Sequence, residues 1–387
     1  IDAMPIKYKW ETGQSSFFTE CIKPKCKIRY RPSNLHLVPT ITAADSSYVT
    51  KKERQLATIK EVSELAKVST ATVSRVLNGH AYVKEENKHR VFEAMKTLNF
   101  KPNASAQALA SNKTNSIGML VGSFDSPFYG PLMHNVEQQV REKNMHLIVT
   151  TGQESLIKEQ DSIEFLLAKQ VDGLVLHSDK LSDDTLINLL LRHPNTMIVN
   201  RLVPEIAESC IYIDNEQGGR VATQYLINNG HTEVACISGQ LTKADSRERL
   251  QGYKNALLAA GLTYNPKYVI EGRFDHQGNH EAVRRLLNQA PQITAVFCQN
   301  DNIALAVYDV CAERGIPIGK GLSVVGFDNA YHSQHVRPQL TTVDYPVHQI
   351  GEMAAKALLA RIDNRKYSPS NSLVPELVER DSVCKLK

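Results

Sequence analysis

The sequence predicts an α/β protein in two parts: an all-α helix-turn-helix headpiece, and behind it a two-lobed body built on parallel sheets. Three observations carry this. The stretch 58–78, TIKEVSELAKVSTATVSRVLN, holds two short amphipathic helical patterns around a tight turn. From Ser116 onward, short apolar runs alternate with helical patterns, the mark of parallel strands crossed by helices. Charge is divided as well. Residues 1–113 carry nineteen Lys/Arg against ten Asp/Glu, a balance of +9, so the rest of the chain must sum to −5 to reach the net +4. A basic front on a mildly acidic body fits a front end that meets a polyanion.

With 387 residues, two or three domains are expected, and 42% hydrophobic with 22% charged residues is ordinary for a globular protein. No apolar run approaches the length of a membrane span, and the N-terminus lacks the apolar core of a signal peptide. The expectation is a cytoplasmic protein with no membrane partner. The seven Cys are scattered singly. Cys21 and Cys26 lack CxxC spacing, and Cys210, Cys236, Cys298 and Cys311 fall in or beside apolar runs. They read as reduced thiols, with no disulfide framework, no metal site and no cofactor. Residues 1–54 show no sustained period and read as an extension: a translated upstream region, a non-native leader or a disordered basic arm.

In the headpiece, residues 55–101, Thr58 stands at an N-cap with Glu61 three residues on, a reciprocal capping pair. Val62, Leu65 and Ala66 form one apolar face, and Val73, Val76 and Leu77 the other. Ser69 caps the second helix, and Lys67-Val68 make the connection too short for antiparallel packing. In such a motif the second helix lies in a DNA major groove. Its exposed face carries Thr70, Ala71, Ser74, Arg75 and Asn78 with no acid among them, as a face pressed to phosphates requires. The alternative is a plain helix pair. A third helix over 85–98 places Val91, Phe92, Met95 and Leu98 in a covering stripe.

Residues 102–113 are Ala-rich and polar, with Leu109 the one large apolar side chain. They read either as a helix that forms only when something packs against it, or as a plain linker. Beyond them, strands are expected at 117–121, 146–150, 173–177, 197–200, 210–213, 234–238, 295–298 and 322–327, with helices between most of them. Some 270 residues are too many for one doubly wound sheet, so two lobes are expected, facing each other with a cleft at the carboxyl ends of their strands. The near lobe is placed at about 114–216 plus 344–369, the far lobe at about 217–343 plus 370–384.

From residue 57 on, the chain resembles the LacI/GalR family of bacterial repressors. The blocks that carry this are VSTATVSRVLNG at 68–79, FKPNASAQALA at 100–110, SIGMLVGSFDSPFYG at 116–130, NGH at 229–231, SRERLQGY at 246–253, AVFCQND at 295–301, LSVVGFDN at 322–329 and RPQLTTVDYP at 337–346. The pairing of SPFYG with VRPQLTTVDYP looks closest to repressors of the galactose-operon type. The resemblance implies a homodimer on double-stranded operator DNA, a hinge helix entering the minor groove, and a small sugar effector between lobes that resemble periplasmic sugar-binding proteins. Carried onto this sequence, the DNA-facing set is Thr58, Ser69, Thr70, Ala71, Thr72, Ser74, Arg75 and Asn78, with Asn103, Ala108 and the wedging Leu109 of the hinge. The effector set is Asp125, Phe128, Asn200, Arg201, Arg247, Asn300 and Asp328, drawn from strand ends and the loops after them, with Phe274, which the resemblance aligns with an aromatic residue of the family's pocket. Asp301 reads as the cap of the helix that follows it.

Lys67 and Lys84 depart from the family pattern, which has Gly and often Ser there; a left-handed Lys67 costs on the order of 1 kcal/mol. No leucine-heptad tail follows Arg380, so a dimer is expected. A sugar-binding protein of transport or chemotaxis, with no DNA role, is the rival reading. An enzyme is disfavoured, since GxGxxG, GxxxxGK[ST] and GxSxG are all absent.

Overall fold

The computed structural model describes residues 57–77, 82–101, 113–124, 126, 128–274, 278–367 and 372–386. The extension, the hinge residues Asn103, Ala108 and Leu109, and also Asn78 and Asp125, lie outside these. The chain divides into two compact units, up to Lys101 and from Pro102 onward.

The headpiece is three helices: α1 (Ile59–Ala66), α2 (Thr70–Leu77) and α3 (Glu85–Thr97). Both halves of the capping box form: Thr58 N–H donates to Glu61 Oε2 at 2.7 Å, and Glu61 N–H to Thr58 Oγ1 at 3.3 Å. The Thr58 amide and then its hydroxyl hold the Glu61 carboxyl below its ordinary value. Lys67 ends α1 in the left-handed region at φ 53°, and its carbonyl accepts from Arg90 at 3.1 Å. Lys84 supplies no side-chain cap to α3. Val62, Ala66, Val73, Val76, Val83, Val91, Ala94 and Phe100 make the core. Two expected core residues are not in it. Leu65 is 49% exposed and Phe92 54% exposed. The buried stripe of α1 centres on Val62, Ser63 and Ala66, and that of α3 on Val91 and Ala94, which turns both large side chains toward solvent.

The body has two six-stranded sheets. The near sheet holds β1 (Ser116–Val121), β2 (His146–Thr151), β3 (Gly173–Leu176), β4 (Thr196–Val199), β5 (Cys210–Ile213) and β11 (Ser372–Leu373), in the order β11-β5-β4-β3-β1-β2, all parallel. The far sheet holds β6 (Val234–Ser238), β7 (Val269–Glu271), β8 (Ala295–Cys298), β9 (Ser323–Asp328), β10 (Thr341–Asp344) and β12 (Glu376–Val378), in the order β12-β10-β9-β8-β6-β7. Only the β10–β12 pair is antiparallel among the described strands. Strands β7, β10, β11 and β12 were not foreseen, being two to four residues long and without a clear alternation.

Helices cover both faces of both sheets. In the near lobe these are α4 (Tyr129–Arg141), α5 (Leu156–Ala168), α6 (Asp183–Arg192) and α11 (Val347–Ile362). In the far lobe they are α7 (Asn215–Asn228), α8 (Ala244–Ala259), α9 (Asn279–Gln289) and α10 (Asp301–Glu313). The two-residue period sorts each strand between layers. Ile117, Met119 and Val121 join one buried cluster while Leu120 faces the other; Ala295 and Phe297 part in the same way from Val296 and Cys298. The chain crosses between lobes three times: at Asp214, at Tyr345-Pro346 and at Val374-Pro375. The last crossing falls later than the expected 369/370 boundary because Leu373 is still paired in the near sheet, its carbonyl accepting from Asp214 N–H at 3.2 Å.

Candidate functional site

On the headpiece, Thr70, Ala71, Ser74 and Arg75 form one exposed side of α2, and Thr72 is half-buried. Ser69 Oγ accepts from Thr72 N–H at 3.1 Å, so this hydroxyl, like that of Thr58, already serves its helix as a cap. The exposed side of α2 thus offers two hydroxyls and one guanidinium without a carboxylate, over a small Ala71 that allows close approach.

In the body, the strand ends of both sheets open on a cavity of about 490 Å³. Phe128, Asn200, Phe274, Asn300 and Asp328 line it as expected. Arg201 and Arg247 do not. The Arg201 guanidinium turns back on its own lobe, donating to Leu181 O at 2.7 Å and pairing with Asp183 at 2.5 Å. Arg247 is exposed and donates to Leu241 O at 2.9 Å. The arginine that reaches the cavity is Arg249. A helix turns about 200° over two residues, so 247 and 249 point apart. Arg249 shares the buried face of α8 with Ser246, Tyr253 and Ala256, and that period was the signal available in the sequence. Asn300, not Asp301, is the cap of α10, accepting from Ile303 N–H at 2.9 Å.

Arg249 is 3% exposed. It is held by Asn215 Oδ1 at 2.9 Å and Gln299 O at 2.6 Å, lies 3.8 Å from the Phe327 ring centroid and 3.7 Å from Asp328 Oδ1. Two glycines allow this: a Cβ on Gly219 would sit 2.1 Å from Arg249 O and one on Gly252 1.9 Å from Glu216 O, so α7 and α8 touch backbone to backbone. Burial pushes the Asp328 carboxyl well above its usual value, against the pull of Arg249. Beside it, burial raises Asp301 to about 7, though Thr342 Oγ1 and Ala330 N–H both donate to it.

The near-lobe wall is a hydrogen-bonded chain. The Tyr345 hydroxyl donates to Asn200 Oδ1, Asn200 Nδ2 to His177 Nε2 at 3.2 Å, and His177 Nδ1 lies 3.2 Å from the Tyr129 hydroxyl. Phe128 stands edge-on to Tyr129 and to Tyr345, each at 5.1 Å between centroids. Tyr129, His177 and Tyr345 were not foreseen, although the first and last lie in the SPFYG and RPQLTTVDYP blocks and His177 ends an expected strand. Lys243 joins the walls, with Nζ 2.5 Å from Glu154 and 3.3 Å from Asp179. Asn200, Asp328 and Asn329 have φ of 61°, 105° and 50°, and Gln153 and Glu154 have 45° and 54°. Of these, Gln153, Glu154, Asn200 and Asp328 line the cavity, a conformation uncommon for non-glycine residues. Planar polar groups facing aromatic rings suit a polyhydroxylated ring. Among the described residues no group of three or more His, Cys, Asp or Glu is placed to hold a metal ion, and no helix is long and apolar enough to cross a membrane.

Residues 58–103 match the family described as bacterial regulatory proteins, lacI family, and residues 223–383 the periplasmic binding protein-like domain. The chain is 37% identical over 329 residues to the HTH-type transcriptional regulator GalR of Escherichia coli (strain K12), covering 85% of this chain and 96% of that one. It is also 37% identical over 333 residues to the HTH-type transcriptional repressor PurR of Aliivibrio salmonicida (strain LFI1238), covering 86% and 100%. Among solved structures it resembles a transcriptional regulator CelR–cellobiose complex, at 32% identity, TM-score 0.62 and coverage of 84% and 99%. It also resembles the lac repressor dimer bound to operator and the anti-inducer ONPF, at 25% identity, TM-score 0.76 and coverage of 85% and 100%.

Proposed function

The chain belongs to the lacI family of bacterial regulatory proteins and is a DNA-binding transcriptional regulator, and we propose that a mono- or disaccharide held in its cleft controls its release from an operator. A headpiece of this family removes the rival reading of a binding protein without a DNA role. In the proposed mechanism Thr70 and Ala71 meet base edges, and Ser74, Arg75 and Asn78 extend the contact. Asn103, Ala108 and Leu109 act as a hinge that folds on DNA when the two protomers hold it there. Arg249 and Asp328 grip sugar hydroxyls from the far lobe, Asn200 and Asp125 do so from the near lobe, and Phe128 and Phe274 cover the ring. Sugar binds the closed cleft better than the open one. Closure shifts the near lobes of the dimer and separates the hinges. A ligand moves this equilibrium only by its differential affinity, and tenfold weaker DNA binding needs about 1.4 kcal/mol. The protein catalyses no reaction and acts in the cytoplasm on the nucleoid.

The observation that supports this most is Arg249: an almost fully buried guanidinium aimed, beside Asp328, into a cavity of ligand size. The test is a thermal-shift screen of the full chain against D-galactose, lactose, cellobiose and related sugars, since a bound ligand raises the melting point by mass action. A hit should also release an operator fragment selected from random duplexes, at salt concentrations where specific binding is tight. If no sugar shifts the melting point and none alters DNA binding, the sugar reading falls.

A further inference from the structure

We propose that Lys243 determines effector specificity: its ion pairs to Glu154 and Asp179 of the opposite lobe join the walls of the cleft and reserve the cavity for uncharged ligands. This rests on the reading of the cavity as the effector site. Lys243 is 9% exposed, an uncommon burial for lysine, and its ammonium also stands 5.7 Å from the Phe274 ring centroid. A buried ammonium persists only when paired. Burial would lower its proton affinity, but Asp179 and then Glu154 outweigh burial and hold the ammonium above its ordinary value. Burial would likewise raise Asp179, and His177 and Lys243 outweigh it, leaving that carboxyl below its usual value. The bridge is therefore a charged pair on both sides. The loop that delivers Glu154 holds two successive non-glycine residues in the left-handed region, a strained backbone that keeps the carboxylate turned to the far lobe.

The remaining charges set the selectivity. Four carboxylates line the cavity, those of Glu154, Asp179, Asp245 and Asp328, with Arg273 and the two committed cations Lys243 and Arg249. Arg249 is held by Gln299 O and Asn215 and faces Asp328, so its charge is already balanced while donors remain for a hydroxyl. A phosphate that binds the Lys243 ammonium has to take it from its two carboxylates. It would then face both of them without a counter-charge and part the lobes it needs closed. A neutral polyol disturbs none of these pairs.

Inorganic phosphate is the probe, on the full chain and without any sugar. At matched ionic strength it should leave the wild-type melting point unchanged. Glu154→Gln/Asp179→Asn, which frees the ammonium, should gain phosphate binding at least about tenfold tighter than wild type. The triple variant with Lys243→Met should lose that gain. In the absence of ligand, hydrogen exchange over residues 150–158 and 239–247 should quicken together in the double variant, because one bridge restrains both loops. Glu154→Gln alone, at a half-exposed side chain, should show the same gain in smaller measure if the double variant folds poorly. Phosphate stabilisation of the wild type equal to that of the variants, no gain on freeing Lys243, or a gain that survives Lys243→Met overturns the proposal. Because no sugar is present, these outcomes are independent of the sugar screen: a failed screen leaves the bridge standing, and a failed bridge leaves the screen untouched.

Discussion

The headpiece and the body place their working residues in opposite ways. The headpiece keeps a thin core of Val and Ala with one aromatic, Phe100, and does its work on the exposed side of α2. The body packs its sheets into three extended clusters and works from the inside, with Arg249 and Asn300 at 3% and 4% exposure. A surface site costs its domain little stability, because its polar groups remain in water. A buried site must satisfy every polar group it contains, so it is also part of what holds the lobe together. Changing a residue on the exposed side of α2 should therefore alter binding alone, whereas changing one in the cleft alters binding and stability together.

Arg249→Ala tests this most severely. It leaves Gln299 O and Asn215 Oδ1 without their donor and Asp328 without its cation, and should cost the body about 3–5 kcal/mol in urea unfolding, with loss of the effector response. Arg247→Ala, two residues away, should stay within about 0.5 kcal/mol and respond normally. Equal costs would break the comparison.

Val73→Ala, at a fully buried site of the small core, should cost about 2 kcal/mol. In scanning calorimetry of the full chain that loss should appear in the headpiece transition alone. A matching drop in the transition of the body would mean the two units unfold as one.

His231 sharpens the contrast from the buried side. It is 1% exposed and its Nε2 lies 3.0 Å from Cys384 O, pinning the C-terminal tail. Burial lowers its proton affinity below the ordinary histidine value, against the Cys384 carbonyl. A depressed folded-state pKa means stability that is complete above the unfolded value of about 6.5 and is lost as pH falls through the folded value. Hydrogen exchange over residues 380–386 should accelerate on that acid side, and His231→Gln should flatten the profile.

The smallest effect is a gain. Lys67→Gly relieves a left-handed lysine and should stabilise the headpiece by roughly 0.5–1 kcal/mol without touching the DNA face. A loss there would show that the lysine side chain contributes more than its backbone costs.

Much of the headpiece was legible because its determinants are local. The Thr58–Glu61 capping pair and the Ser69 cap each lie within three residues of what they control, whereas the left-handed Lys67 was suggested only by the family's usual Gly. The errors there, Leu65 and Phe92, come from reading a stripe by composition: a helix end buries whichever side faces its neighbours, even if that side offers Ser63 or Ala94. In the body the alternation of strands and helices was legible, and so were Phe128, Asn200, Asn300 and Asp328 at strand ends, while Phe274 came only from the family resemblance. The short strands β7, β10 and β12 were not, because their pairing partners and not their own residues make them strands.

By itself, then, the sequence determined the helix-turn-helix, its acid-free face, the basic front and the two-lobed α/β body, since each follows from periods, caps and charges over a few residues. Only the tertiary structure decided which groups meet. Tyr345 reaches Asn200 across 145 residues, His231 reaches Cys384 across 153, and Lys243 reaches Glu154 across 89. Contacts of that span leave no local period to read, because folding brings together residues whose own neighbours carry no trace of the meeting.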